Sequence, residues 1–219
     1  MGNRTHPLAA LSQWAAPQGH FIRWRLAIVL VAAYGGFVAT YLPINFYSIG
    51  RDARVLYLPG EAALPFIPEF EFLYILGYVL PVVAVIRLPG TRELQRLLTA
   101  LGLTLAVAYA TYLVFPVYLE RPHLEVDSVA TFLLSLEYKD PSYNHFPSLH
   151  VAISWLIYLA CRRGVRHRHL FLALLCGIFV STIFVKQHYA VDVVFGVALA
   201  AGAWRVSGKL KAANAASKR

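Results

Sequence analysis

Two side chains near the end of the sequence have the spacing of an activated histidine. His188 and Asp192 are four positions apart, so on a helix they share one face, with Cβ atoms roughly 6 Å apart. A carboxylate that accepts from one ring nitrogen fixes the tautomer and leaves the other nitrogen free to attack an electrophile. A polar pair that only holds two helices together would give the same pattern. The pair alone is therefore compatible with catalysis and with packing.

A third ionisable group, His150, follows Pro147 and Ser148 in the sequence Phe-Pro-Ser-Leu-His. Proline suits the first turn of a helix. The unpaired N–H groups of such a turn bind anions, together with a hydroxyl such as that of Ser148. His150 would face the same pocket and could protonate a leaving oxygen. The alternative is an ordinary helix start with a histidine at the membrane interface.

Arg121 provides a cation for the same pocket. It follows an apolar segment closely, and a guanidinium just outside the membrane can hold two phosphate oxygens at once. On its own, such an arginine is better explained as an interfacial residue, whose charged group reaches the membrane surface while its aliphatic chain stays in apolar surroundings. Together with His150, His188 and Asp192, it indicates a phosphate site.

The elements that must position these residues are membrane-spanning helices. The chain of 219 residues is 58% hydrophobic and 14% charged, which is too apolar for an ordinary soluble domain. Six apolar segments can span a bilayer, several of them only if they extend into their flanks or tilt. They cover about 26–46, 70–86, 97–115, 148–161, 170–185 and 188–206. We therefore predict an all-α integral membrane protein with a bundle of six transmembrane helices.

The positive charges predict the orientation of this bundle. Most of the 20 Lys and Arg residues fall on one side of the six segments, and such basic clusters mark the cytoplasmic side. The other side carries Arg51, Arg54, Arg121, Lys139 and Lys186. Both termini are then cytoplasmic, and the candidate site faces the periplasm or the cell exterior. We expect the inner membrane of a bacterium.

This topology divides the chain into three regions. They are a cytoplasmic N-terminal segment, 1–25, a catalytic membrane domain, 26–206, and a basic cytoplasmic tail, 207–219. The tail after Lys209 is small, polar and basic, so we expect it to be disordered. In an outer loop, residues 129–136 follow Ser128, a good helix N-cap, and predict a short helix on the bilayer surface. A packed loop without function is the alternative.

The bilayer is the partner that the composition predicts. The net charge of +9 does not indicate nucleic acid, because the basic residues lie at the ends of apolar segments and form no patch with aromatic residues. Cys161 and Cys176 both lie in or at the end of apolar segments, which disfavours a disulfide or a metal site. We expect no metal and no cofactor. The oligomeric state is not predicted.

Three motifs occur in a characteristic order: Arg121-Pro122, then Pro147-Ser148-Leu149-His150, then His188 with Asp192. This order resembles the three-part signature of the type 2 phosphatidic acid phosphatase superfamily, and the six spans resemble it too. The resemblance covers about residues 66–196. It implies a membrane lipid-phosphate phosphatase or phosphotransferase, whose partner would be a membrane lipid that carries a phosphate or a phospho-head group.

The resemblance also implies roles for these residues. His188 would attack phosphorus to form a phosphohistidine, Asp192 would orient it, and His150 would be the general acid for the leaving group. The groups that would hold phosphate oxygens are Arg121, the Ser148 side chain, and the backbone of Ser148 and Leu149.

Two positions depart from the superfamily pattern. Val114 stands where a lysine is expected and Thr182 where an arginine is expected, so two phosphate-binding cations are missing. Lys186 is our candidate to replace one of them. Fewer cations favour a phosphodiester, with one negative charge, over a phosphomonoester with nearly two. Arg121, Lys186, His145 and the helix N-terminus could nevertheless hold a dianion.

The form of the motifs is similar to the inositol phosphorylceramide synthase branch, with its Phe-Pro-Ser-Leu-His and His-Tyr-x-x-Asp sequences. Sphingomyelin synthases share the second form. Such relatives transfer a phospho-head group from a glycerolipid to a lipid alcohol. A dedicated phosphodiester head-group transferase is therefore the alternative to a phosphatase that uses water.

Two other interpretations involve the same residues. His150, His188 and Asp192 could be ligands of a catalytic metal, although no His-Glu-x-x-His sequence is present. A small transporter with a His/Asp proton relay is an alternative of another class. Transporters often have inverted repeats and polar residues near the midplane, whereas these residues lie at the outer rim and no repeat is visible.

Overall fold

The computed structural model of the chain describes residues 18–88 and 92–216. All regular elements in these ranges are helices, which confirms the all-α prediction. The α-helices are α1 (Gln18–Tyr47), α2 (Glu71–Tyr74), α3 (Leu76–Arg87), α4 (Arg92–Val114), α5 (Val129–Glu137), α6 (Leu149–Cys161), α7 (Arg168–Phe184) and α8 (Ala190–Ala216). Short 3-10 helices cover Glu61–Ala63, Pro68–Phe70 and Arg162–Gly164.

Contacts between Cα atoms divide the chain into two compact units, residues 1–39 and 40–219. In the first unit, the described residues 18–39 all belong to α1. The second unit contains α2 to α8 and the candidate site. Residues 1–17 of the predicted N-terminal segment and residues 217–219 of the predicted tail lie outside the described residues.

Three stretches of the second unit are long and apolar enough to cross a membrane: Pro68–Arg87, Arg92–Val114 and Ala190–Ala212. Two shorter apolar helices, α6 and α7, accompany them. These helices support the prediction of an integral membrane protein. Six spans and two cytoplasmic termini remain predictions.

Helix α6 is enclosed by α3, α4, α7 and α8, which all pack against it. Its 13 residues are apolar or aromatic except for His150 and Ser154, and a helix that is apolar on every face is stabilised by burial on all sides. Ala152, Leu156 and Ile157 are accordingly at most 2% exposed. This buried helix carries the Ser148–His150 motif at its start.

The first turns of α6 and α8 are in direct contact. The Ser148 amide donates to the Asp192 carbonyl at 3.1 Å. Gly196, one turn further along α8, permits this approach, because a Cβ at that position would lie 2.7 Å from the Ser148 carbonyl oxygen. Two motifs that are about 40 residues apart in sequence are therefore joined at one end of the helices.

The predicted outer loops contain ordered structure. Helix α5 begins after Ser128, whose Oγ accepts from the Thr131 amide, so the N-cap prediction is confirmed. Leu134 is fully buried in a cluster with Tyr74 and Val185, whereas Phe132 is more than half exposed. The helix therefore packs on the protein by one face and leaves an apolar face uncovered, while its position on a bilayer surface remains a prediction.

The prediction of a disordered tail is wrong for the residues that the structure describes. Helix α8 continues to Ala216, ten residues beyond the predicted end of the sixth span. Alanine is the best helix former, and four of the last five residues of α8 are alanines. Lys211 also ties this end of the helix to the start of α4, where its Nζ donates to the Arg92 carbonyl.

Candidate active site

His188 follows a turn that ends α7. The Gln187 amide donates to the Thr182 carbonyl at 2.9 Å, and the Lys186 amide donates to the Ile183 carbonyl at 3.2 Å. These bonds form a Schellman motif, which places one residue in the left-handed conformation; that residue is Lys186, with a φ of 54°. The His188 amide also donates to the Thr182 carbonyl, at 3.0 Å. The turn thus fixes the backbone that carries His188.

This turn changes how His188 meets Asp192. The sequence predicts both residues on one helix, but α8 begins only at Ala190, because the turn holds the amide of His188. Asp192 reaches back from the first turn of α8, where its Oδ2 accepts from the Tyr189 amide at 2.8 Å, as the third residue of a capping box does. The same oxygen lies 3.5 Å from His188 Nδ1.

The His188–Asp192 pair is buried and incompletely hydrogen-bonded. Asp192 is fully buried and His188 is 8% exposed. Their separation of 3.5 Å exceeds a normal N–H···O distance, and neither His188 Nδ1 nor Asp192 Oδ1 has a hydrogen-bond partner. Buried polar atoms without partners are rare and costly. The two side chains are therefore adjacent but do not form the hydrogen bond that would orient His188.

A second imidazole, that of His145, is in contact with His188. Their ring centroids lie 5.5 Å apart, with the rings at 74°. His145 is 3% exposed, and its Nδ1 lies 2.8 Å from the Gln187 carbonyl oxygen. Its Nε2 lies 3.1 Å from the Ser142 hydroxyl. Burial, and to a lesser extent the charges of His188 and Arg121, lower the pKa of His145 well below its ordinary value.

Arg121 reaches the same turn through Gln187. Its Nη2 donates to Gln187 Oε1 at 2.9 Å. The guanidinium also donates to both the carbonyl and Oδ1 of Asp140, each at 2.9 Å, and its Nε is buried without a partner. Burial raises the pKa of Asp140, and the Arg121 charge partly opposes this rise. The predicted phosphate-binding cation is therefore paired with a carboxyl group.

His150 lies in an aromatic slot. Its ring stacks on Tyr74, with centroids 4.1 Å apart and planes at 6°, and it meets the ring of Tyr78 edge-on at 5.1 Å. Gly77 makes room for this ring, because a Cβ there would collide with His150 Nε2. That nitrogen is buried and has no hydrogen-bond partner. Nε2 thus lies against Gly77 inside the slot, without a polar neighbour.

Ser148 and Leu149 form the start of α6. Ser148 is the N-cap, and its Oγ accepts from the Val151 amide at 3.2 Å, so Pro147 lies just before the first turn and not within it. The Ser148 amide is engaged with the Asp192 carbonyl, so this amide, which was predicted to hold a phosphate oxygen, is not available in this arrangement. Leu149 is the first helical residue and is 4% exposed.

A narrow surface cleft, with room for about one water molecule, reaches His188, and Glu61, Glu120 and Lys186 are among its lining residues. Glu61 is 6% exposed, and its carboxylate accepts from the amides of Leu58 and Ala190. A negative charge is favourable at the start of α8 because of the helix dipole. Lys186 Nζ donates to the Leu64 carbonyl at 2.8 Å. The loop around Glu61 is thus attached to both sides of His188.

The two positions that depart from the superfamily pattern, Val114 and Thr182, supply no positive charge to the site. Val114 is 80% exposed at the end of α4. Thr182 is fully buried, and its hydroxyl donates to the Phe179 carbonyl at 2.8 Å. Over residues 18–88 and 92–216, no group of three His, Cys, Asp or Glu side chains is arranged to hold a metal ion.

Sequence reasoning missed several residues of the site. It gave no role to Asp140, Gln187 or Glu61, and it considered His145 only as a further cation. Asp140 and Gln187 bond to Arg121 across 19 and 66 positions, and Glu61 bonds to Ala190 across 129. No spacing rule predicts such contacts. The one usable signal was the position of Gln187 beside His188.

The comparisons with known proteins show the family of the chain. The family model of the PAP2 superfamily matches residues 58–206, which is more than half of the chain and contains every candidate residue described above. No curated protein and no solved structure matches the chain significantly. The chain belongs to the PAP2 superfamily, the type 2 phosphatidic acid phosphatases.

Proposed function

We propose that the protein is a membrane lipid-phosphate phosphatase or phosphotransferase that works through a phosphohistidine on the outer face of a bacterial inner membrane. Membership of the PAP2 superfamily supports a phosphatase-type activity. The observation that carries the proposal is the His188–Asp192 pair, whose side chains are 3.5 Å apart. The main-chain carbonyl of Asp192 also accepts from the Ser148 amide at the start of α6.

The first step transfers the phosphoryl group to the enzyme. His188 attacks phosphorus through Nε2, while Asp192 accepts the Nδ1 proton in a hydrogen bond and stabilises the charge that develops on the ring. The bond between phosphorus and the lipid oxygen breaks, and His150 gives its proton to that oxygen. Donors around the phosphate stabilise the transition state; they are Arg121, the Ser148 hydroxyl, the Leu149 amide and Lys186.

The second step regenerates the enzyme. His150, now neutral, takes a proton from water or from a lipid alcohol, whose oxygen attacks the phosphohistidine. The bond between phosphorus and nitrogen breaks and His188 returns to its neutral form. Water gives free phosphate or a free phospho-head group, and a lipid alcohol gives a new phospholipid. The acceptor admitted to the site decides between hydrolysis and transfer.

Head-group transfer from a phosphodiester is the second candidate, and the Arg121–Asp140 pair favours it. Asp140 balances much of the Arg121 charge, and the two superfamily cations are replaced by Val114 and Thr182. The remaining positive charge suits the single negative charge of a diester. This is the activity of the inositol phosphorylceramide and sphingomyelin synthases that the motifs resemble.

The test follows phosphorus from defined lipids incubated with the purified protein. Free phosphate indicates hydrolysis, and a new phospholipid indicates transfer. The matched variants are His188→Ala and His123→Ala, since His123 is an exposed histidine of the outer loop. We expect the first variant to lose activity by at least about a thousandfold and the second to keep it. Full turnover by His188→Ala would overturn the mechanism.

A further inference from the structure

We propose that His145 is a positioning residue. It holds the peptide group that joins Gln187 to His188 and limits rotation of the His188 ring. The inference rests on the proposed role of His188. It concerns a buried histidine that lies outside the three motifs of the superfamily. His145 follows the outer loop and precedes the Pro-Ser-Leu-His sequence.

The peptide between Gln187 and His188 is held at both of its polar groups. Its carbonyl oxygen lies 2.8 Å from His145 Nδ1, and its N–H donates to the Thr182 carbonyl at 3.0 Å. Rotation of this peptide would swing the His188 side chain relative to Asp192. Thr182 restrains one side of the peptide through the end of α7, and His145 restrains the other.

The hydrogen bonds of His145 define its tautomer. A carbonyl oxygen only accepts, so Nδ1 must carry the hydrogen in its bond to Gln187. Nε2 then has a lone pair beside the Ser142 hydroxyl, at 3.1 Å. That hydroxyl also lies 2.6 Å from the Leu119 carbonyl oxygen, so its one hydrogen serves two acceptors. Both ring nitrogens are thus occupied, and His145 acts through His188 instead of exchanging protons with substrate.

The same bonds couple the nucleophile to the phosphate-binding arginine. Ser142 belongs to a segment that pairs with the chain just before Arg121, where the Leu119 amide donates to the Ser142 carbonyl at 3.1 Å. Gln187 also accepts from Arg121 Nη2 through its side chain. His145 and Gln187 therefore join the backbone of His188 to the segment that carries Arg121.

Contact between the two rings adds a second restraint. The His145 and His188 rings meet at 74° with centroids 5.5 Å apart, which is an edge-to-face geometry. His145 is buried and hydrogen-bonded at both nitrogens, so its ring is a rigid wall for His188. A rigid wall matters here because His188 Nδ1 has no hydrogen-bond partner of its own.

Two amide variants test the positioning role. His145→Asn places an N–H near the position of Nδ1 and keeps the bond to the Gln187 carbonyl. His145→Gln places its amide near the position of Nε2 and loses that bond. The two side chains end in the same carboxamide group, so the variants differ only in where this group lies. Thermal unfolding of both variants and of the wild type shows whether each protein is folded. Turnover and the single-turnover rate of phosphoenzyme formation are measured with a radiolabelled lipid phosphate.

We expect His145→Asn to stay within about threefold of the wild type, and His145→Gln to lose about 10–100-fold in kcat and in phosphoenzyme formation, as displacement of a reacting group by about 1 Å does. KM should change less than kcat in both. Equal rates for the two variants, whether both fast or both slow, would overturn the role of His145. Absence of a phosphoenzyme in the active wild type would instead overturn the proposed function.

Discussion

At the scale of single residues, the candidate site combines a proposed nucleophile that lacks one hydrogen bond with an arginine that is already paired with a carboxyl group. His188 and Asp192 are 3.5 Å apart, close enough for a small movement to complete their bond. Arg121 donates to Asp140 and Gln187 and keeps its Nε free. The charge left for a phosphate is therefore set by Asp140, a residue that no motif includes.

Asp140→Asn should shift substrate preference towards phosphomonoesters. The amide keeps the shape of the carboxyl group but leaves the Arg121 charge unbalanced, so a dianionic phosphate gains more than a monoanionic one. We expect the ratio of kcat/KM for a monoester over a diester to rise about tenfold, or about 1.4 kcal/mol. Glu125→Gln, at an exposed acid of the same loop, is the control. An unchanged ratio in a folded Asp140→Asn protein would contradict the account.

Lys186 separates a charge effect from a backbone effect. Its φ of 54° is unfavourable for any residue except glycine, by about 1 kcal/mol. We expect Lys186→Gly to be more stable than Lys186→Gln by about that amount in chemical unfolding, because both lose the ammonium group and only glycine relieves the backbone. Both variants should lose about tenfold in kcat/KM as a charge-assisted contact is removed. Wild-type activity in both would remove Lys186 from the phosphate site.

At the scale of elements, the sequence indicates the helices well and their junctions poorly. Each predicted span overlaps a helix, since apolar runs and the Ser128 cap are local signals. The turn after α7 is different. Its Schellman bonds place His188 before α8, and a non-glycine residue at the left-handed position gives no sequence cue. The aromatic slot of His150 depends on Tyr74 and Gly77, about 75 positions away, so spacing could not predict it.

Contact between α6 and α8 should depend on Gly196. A Cβ there would lie 2.7 Å from the Ser148 carbonyl oxygen, so Gly196→Ala must push the two helix starts apart. We expect a loss of about 1–3 kcal/mol in stability, as overpacking causes, and a fall of more than tenfold in kcat. Gly202→Ala is the control in the same helix, because nothing lies within 4 Å of its added Cβ. Equal behaviour of the two variants would refute the close approach.

At the scale of the whole molecule, the helices describe a membrane protein whose candidate site lies where α6 and α8 begin. Apolar stretches long enough to span a bilayer include α4 and most of α8, and the starts of α6 and α8 meet at the candidate site. Basic residues such as Arg166 and Arg205 lie near the opposite ends of these helices. If positive residues mark the cytoplasmic side, the site faces outward.

Cysteine labelling in intact cells tests that orientation. In a variant lacking Cys161 and Cys176, a single cysteine at Glu125 should react with a membrane-impermeant maleimide, and one at Arg166 should react only after lysis. Both positions are exposed, so accessibility within the protein does not differ. The reverse pattern would place the site in the cytoplasm.

The central claim is that His188 becomes phosphorylated. A rapid acid-free quench of the enzyme turning over a radiolabelled lipid phosphate, followed by peptide mapping, would locate the covalent phosphate. We expect label that is stable in base and lost in acid, on the peptide containing His188, and absent from His188→Ala. Label on another residue, or steady turnover by the wild type without any phosphoenzyme at any quench time, would contradict the account.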